Sequence, residues 1–156
     1  MVTSLEPGIL RESVVELWLV FWLKVGNVRT MIAQECAFCF LPKRRVVFEN
    51  SSGFAFFDDY PVSTGHMLVI PKRHSCSLFE LPESDQSVLW QLVAQARLHL
   101  KKQFNPDGFN IGLNEGKSAG QTISHIHFHV IPRYKNDVLD PRGGIRWVIP
   151  EKAKYW

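Results

Sequence analysis

The sequence predicts an α+β fold: an antiparallel sheet of about five strands with one main helix packed on it. Five short runs are apolar or alternate apolar with polar, which is how strands read. One long run keeps helical spacing. Most of the connections are too short for anything but antiparallel neighbours.

The elements follow in order. Val46-Val47-Phe48-Glu49-Asn50, a Ser51-Ser52-Gly53 turn and Phe54-Ala55-Phe56-Phe57-Asp58 form a predicted hairpin, broken by Tyr60-Pro61. His66-Met67-Leu68-Val69-Ile70 is a third strand, stopped by Pro71. Leu81-Pro82-Glu83-Ser84 opens the helix, and Leu89, Leu92, Val93, Ala96 and Leu100 mark its buried stripe. Glu83 and Asp85 near its start and Lys101 and Lys102 near its end suit the helix dipole. Asn105-Pro106-Asp107-Gly108 ends it. Phe109-Asn110-Ile111-Gly112-Leu113-Asn114 alternates as a half-buried strand. The fifth strand is expected over Ser124-His125-Ile126-His127-Phe128-His129-Val130-Ile131, ended by Pro132.

The chain's 156 residues, 46% hydrophobic and 21% charged, suit a soluble globular domain. A net charge of +3 is compatible with a small anion but too mild for a nucleic-acid surface, and no nucleic-acid partner is expected. Three cysteines make no disulfide framework, which points to a reducing compartment and a cytoplasmic protein. The apolar run Leu17–Leu23 is shorter than the ~20 residues a bilayer needs, so no membrane partner is expected. Residues 1–34 are read as an N-terminal extension, with Met31 a candidate natural start. Residues 35–156 form the domain, with a tail from about residue 136.

The chemistry concentrates in the fifth strand. Half of the six histidines fall at alternate positions, His125, His127 and His129, so their imidazoles share one face while Ile126, Phe128 and Val130 share the other. Imidazole binds metals, moves protons and acts as a nucleophile near neutral pH. The row therefore serves either a metal site or nucleophilic attack on phosphorus. The loop before it, Asn114-Glu115-Gly116-Lys117-Ser118-Ala119-Gly120-Gln121-Thr122, carries glycines, hydroxyls and amides that suit an anion. Cys36-Ala37-Phe38-Cys39 is a CxxC pair, a metal knuckle or a redox pair.

His-Ile-His-Phe-His-Val-Ile resembles the signature of the histidine triad (HIT) superfamily of nucleotide hydrolases and transferases. Gly120-Gln121-Thr122, Gly65-His66-Met67-Leu68-Val69-Ile70-Pro71-Lys72 and Pro132-Arg133 extend the resemblance over roughly residues 35–135. It implies a HIT-like fold and a homodimer. It implies that His127 is the nucleophile on the α-phosphate of a small-molecule nucleotide, that His129 serves the phosphate and that His66 faces the same pocket. Asp58, eight positions before His66, would take the ribose hydroxyls, with Asp59 on the opposite face. Asn114, Gln121 and Thr122 would hold phosphate and leaving-group oxygens. A histidine at position 129, where the uridylyltransferase branch carries glutamine, favours a hydrolase or phosphorylase.

The same resemblance completes a structural Zn2+ site: Cys36, Cys39, His74 and His125. Cys76 is the rival to His74. The expected activity is hydrolysis of adenine nucleotide derivatives such as diadenosine polyphosphates through a nucleotidyl-histidine. The alternatives are a nucleoside phosphoramidase, a dinucleoside polyphosphate phosphorylase or a non-catalytic nucleotide sensor. Asp140–Pro150, with its paired glycines, Arg142, Arg146 and Trp147, is a candidate for substrate selection or dimer contact, or a surface-packed tail.

Overall fold

A computed structural model describes residues 36–156. The N-terminal extension and the question of Met31 lie outside the described residues. Five strands, β1 (Val46–Glu49), β2 (Gly53–Phe57), β3 (Met67–Pro71), β4 (Gly108–Leu113) and β5 (Phe128–Arg133), form one sheet in the order β1-β2-β3-β5-β4. Every pairing is antiparallel. The one long helix among the described residues, α1 (Glu83–Phe104), connects β3 to β4, and β5 fills the space between those two strands.

The helix buries the predicted stripe, Leu89, Leu92, Val93, Ala96 and Leu100. These side chains meet Ala55, Met67, Val69, Ile126, Phe128 and Val130 from one face of the sheet. The helix ends where Asn105 turns left-handed at φ 46°, a conformation that asparagine tolerates. The opposite face carries a smaller cluster, Phe56, Leu68 and Ile70, covered by Phe38 and Leu41. This second face bears the site, because Leu68 pairs with His129 across β3 and β5.

The β1–β2 turn is tied to the helix. Asn50 Oδ1 accepts from the backbone N–H of Ser52 and Gly53 at 3.0 and 2.9 Å, and Asn50 Nδ2 donates to Val88 O at 2.9 Å. Ser52 Oγ donates to Asp85 at 2.7 Å. Gly53 is required by close approach: a Cβ there would lie 2.5 Å from Leu89 Cδ2 and 2.6 Å from Ile70 O.

The fifth strand differs from its expected span. The ladder begins at Phe128, so His125 and His127 precede it, and Pro132 lies within it rather than ending it. The start is late because the backbone groups ahead of it are engaged elsewhere. Ile126 N–H donates to Ser75 O at 2.7 Å, and His125 O accepts from the His127 side chain at 2.8 Å. Pro132 is tolerated because its carbonyl, and hence its nitrogen, faces away from β4, toward the Ser63 hydroxyl 2.6 Å away. The face alternation survives without the ladder, since Ile126, Phe128 and Val130 all reach the helix-side core.

Beyond β5 the tail forms 3-10 turns at Gly144–Val148 and Pro150–Lys152. Among the described residues, no helix is long and apolar enough to cross a membrane.

Candidate functional site

Three segments remote in sequence converge beside the start of β5. The Cys36–Cys39 turn, closed by Cys39 N–H to Cys36 O at 3.0 Å, meets His74 after β3 and His125 before β5. Cys39 Sγ lies 3.2 Å from His74 Nδ1 and 3.6 Å from His125 Nδ1, and Cys36 Sγ lies 3.5 Å from His125 Nδ1. A tetrahedral ion with sulfur at ~2.3 Å and nitrogen at ~2.0–2.1 Å sets those donors about 3.5 Å apart. The four residues therefore fit a metal ion as they stand. The second nitrogen of His125 donates to Pro71 O at 2.9 Å, which fixes its proton on Nε2 and leaves the Nδ1 lone pair toward the sulfurs. Burial, followed by the charges of His74 and His127, pushes the His125 pKa down to about 4 against the opposing Pro71 carbonyl, so it stays neutral, the form that binds metal. Burial and the neighbouring Cys36 push the Cys39 thiol up to about 11 in the absence of an ion. A bound cation reverses that preference. Cys76 is outside this cluster: it is exposed, and its thiol donates to Ser124 O at 3.2 Å.

Two residues beyond His125, the ring of His127 turns inward and is 6% exposed. Its Nδ1 sits 2.8 Å from His125 O, and a carbonyl only accepts, so Nδ1 carries a proton and Nε2 is the nitrogen that bears the lone pair in the neutral ring. Phe38, between the two cysteines, packs edge-on against both His125 and His127 at 5.9 and 5.3 Å between ring centres. One side chain thus buttresses both imidazole rings. The apolar residue inside the CxxC pair was the available signal for it.

His129 follows on β5, 5.0 Å from His127 between ring centres. Its Nδ1 is 3.0 Å from His66 Nε2, and His66 Nδ1 is 3.2 Å from Asp58 Oδ2. The carboxylate accepts from His66 Nδ1–H, His66 Nε2 accepts from His129 Nδ1–H, and His129 presents an Nε2 lone pair. Val62 N–H also approaches His66 Nδ1 from 3.4 Å, but the shorter contact to a charged oxygen decides where the proton sits. Burial, then the charges of His127 and His66, push the His129 pKa down to about 4 against Asp58. Burial also lowers His66, with Asp58 opposing and His127 adding. Asp59 points away and pairs with Arg45 at 2.6 Å.

Asp58, His66, His129 and Asn114 line a cleft of about 430 Å³ whose walls include Ile111, Leu113, Ile145 and Val148. Ile145 and Val148 come from the tail, and Asn110 adds an amide from β4. Asn110 shares the face of Gly112 by strand alternation, a pattern visible in the sequence but without a motif to mark it.

Gln121 is turned onto its own loop. Its Nε2 donates to Cys76 O at 2.9 Å, and its Oε1 accepts from Gly116 N–H at 2.8 Å. Thr122 is exposed on the same loop. Ser77 Oγ, 2.7 Å from Glu115 Oε1, ties this loop to the segment carrying His74. Neither Ser77 nor Glu115 had a sequence signal, because their pairing joins positions far apart in the chain.

The HIT domain family model matches residues 42–136. This chain belongs to the HIT family. It is 34% identical over 127 residues to the adenosine 5'-monophosphoramidase of Schizosaccharomyces pombe, covering 76% of this chain and 90% of that protein. It is 36% identical over 92 residues to the bis(5'-adenosyl)-triphosphatase of Dictyostelium discoideum, covering 59% and 62%. Among solved structures it is similar to a zinc-bound histidine triad family protein from Mycobacterium smegmatis, with a TM-score of 0.63 and 31% identity over 69% of this chain and 81% of that one. The five-stranded antiparallel sheet with one main helix is the HIT-like α+β fold. Both named relatives act on adenine nucleotides, and this HIT-family chain carries a Cys/His cluster that can bind a metal.

Proposed function

We propose that this HIT-family chain is a nucleotide phosphohydrolase that works through a nucleotidyl-histidine on His127. The observation that carries the reading is the His127 Nδ1–H to His125 O hydrogen bond of 2.8 Å, which makes Nε2 the nitrogen available for attack beside the His129–His66–Asp58 row. In the first step Nε2 attacks the α-phosphorus. The bond to the leaving group breaks, and that group departs with the electron pair and takes a proton from solvent. The imidazole becomes cationic, and the His125 carbonyl faces the charge it gains. In the second step water attacks phosphorus, His129 Nε2 accepts its proton, and His127 leaves as the neutral ring. One difficult displacement becomes two easier ones.

The substrate class is an adenine nucleotide derivative, diadenosine polyphosphates first. The monophosphoramidase relative supports a second reading, in which the leaving group is an amine. Asp58 serves the ribose side of the cleft, and Asn114, Gln121 and Thr122 the phosphate side, Gln121 by shaping the loop that carries them. Cys36, Cys39, His74 and His125 hold one structural zinc: a closed set of four protein ligands leaves no position for substrate. The chain works as a cytoplasmic homodimer, which light scattering on the purified protein checks.

The deciding experiment incubates wild type and His127→Ala with labelled diadenosine polyphosphate or adenosine phosphoramidate, with and without added phosphate. Acid-labile nucleotide should be trapped on wild type and not on the variant. Phosphate incorporated into product would identify a phosphorylase, and failure of every substrate to turn over or label the protein would sink the enzymatic reading in favour of a sensor.

A further inference from the structure

The same cleft contains a second group of metal-ligating atoms, separate from the cysteines. Asp58, His66 and His129 each offer one donor, and these donors lie within 4.8 Å of one another. His66 Nε2 and His129 Nδ1 are 3.0 Å apart. Two nitrogens bound at ~2.1 Å and at right angles on one ion are about 3.0 Å apart, the cis edge of an octahedral or square-planar centre. Asp58 Oδ2, 3.2 Å from His66 Nδ1, completes a carboxylate–histidine pair of the kind that fixes the tautomer and raises the basicity of a ligating imidazole. The open cleft of about 430 Å³ in front of these residues has room for the water or phosphate oxygens that fill the remaining positions.

We propose that His66 Nε2 and His129 Nδ1, backed by Asp58, form a second site that takes a divalent, nitrogen-preferring transition-metal ion. Nickel(II) and copper(II) fit the donor set best, since imidazole with open water positions suits them and affinity for such sites rises along the first row to copper. The ion replaces the proton now shared between the two rings. Neutral His129 then carries its proton on Nε2, so the exchange needs no net loss of a proton. The loaded site removes the Nε2 lone pair of His129 from the cleft, and occupancy is therefore incompatible with the proton acceptance assigned to that atom. The binding claim itself needs no turnover and stands apart from the phosphohydrolase reading.

Nickel(II) is the probe, because the exposed thiol of Cys76 can reduce copper(II). The full chain, with its Cys/His cluster loaded with zinc beforehand, is titrated by calorimetry, and ligand identity is read from paramagnetically shifted imidazole proton resonances. The expected result is one nickel per chain beyond the zinc, with shifted signals from two histidines. His66→Gln and His129→Gln should each weaken binding by tenfold or more, Asp58→Asn by about tenfold, and His99→Gln not at all. Circular dichroism confirms that each variant is folded, and either of the two histidine variants suffices if the other is not. No second equivalent in wild type would overturn the proposal. So would binding that survives both histidine substitutions, or a thiolate-to-nickel charge-transfer band without histidine signals.

Discussion

Two proton positions organise the row of histidines. The His125 carbonyl holds the His127 proton on Nδ1, and the Pro71 carbonyl holds the His125 proton on Nε2, so the two rings leave opposite nitrogens free. If His127 is the nucleophile proposed above, His127→Ala should lower turnover by at least about a thousandfold, measured as kcat under saturating substrate. His129→Gln tests the neighbouring role. It keeps a hydrogen-bonding group near His66 but removes the base, so hydrolysis of a preformed nucleotidyl intermediate should slow more than its formation, which single-turnover kinetics separates. At this scale the sequence was informative about faces and silent about protons. The alternation of Ile126, Phe128 and Val130 with the histidines was legible because it needs only extended backbone. The late start of β5 was not, because it depends on Ser75 O taking the Ile126 N–H and on the His127 ring taking the His125 carbonyl.

Among the elements, the segment from His74 to Ser77 does the most to connect one part of the site to another. Its carbonyls accept from Ile126 N–H and Gln121 Nε2, the Cys76 thiol donates to Ser124 O, and Ser77 Oγ meets Glu115 Oε1. The segment that carries His74 thus holds the loop before the triad by three contacts and the triad itself by a fourth. Among the described residues Glu115 Oε2 is buried without a partner, so Ser77→Ala leaves a carboxylate with neither oxygen paired there. The loss should be about 1–3 kcal/mol in denaturant unfolding, with faster amide hydrogen exchange over residues 116–121. Unchanged exchange there would mean that the pairing does not restrain the loop. The β1–β2 turn gives an independent test of packing. Gly53→Ala drives a methyl group toward the Ile70 carbonyl, 2.6 Å from the new Cβ, and should cost about 1–3 kcal/mol without altering catalysis. The turn itself was readable from Ser51-Ser52-Gly53, but the need for glycine came from the Ile70 carbonyl of the neighbouring strand β3.

For the whole domain, the effects of pH and of the proposed metal on stability come from neighbouring groups of histidines and can be separated. An ion bound to the folded cluster and not to the unfolded chain stabilises by mass action, so with the proposed zinc in place a strong chelator should lower the melting temperature, and Cys36→Ser should abolish both metal binding and the chelator's effect. The acid limb belongs to other groups as well. His129 is held at about 4 in the folded state against an ordinary 6.5, and His66 is lowered too, both chiefly by burial. Between those values the unfolded chain binds the proton that the folded chain refuses, so stability is complete above about pH 6.5 and falls as the pH drops toward 4. The His129 share is on the order of 2 kcal/mol once screening by solvent in the cleft is allowed for. His129→Gln removes that share and leaves the metal cluster intact. Unfolding free energies measured at several pH values from 7 down to 4.5 should therefore fall less steeply for His129→Gln than for wild type, while both lose metal over the same range. Parallel slopes would place the acid sensitivity in the metal ligands alone.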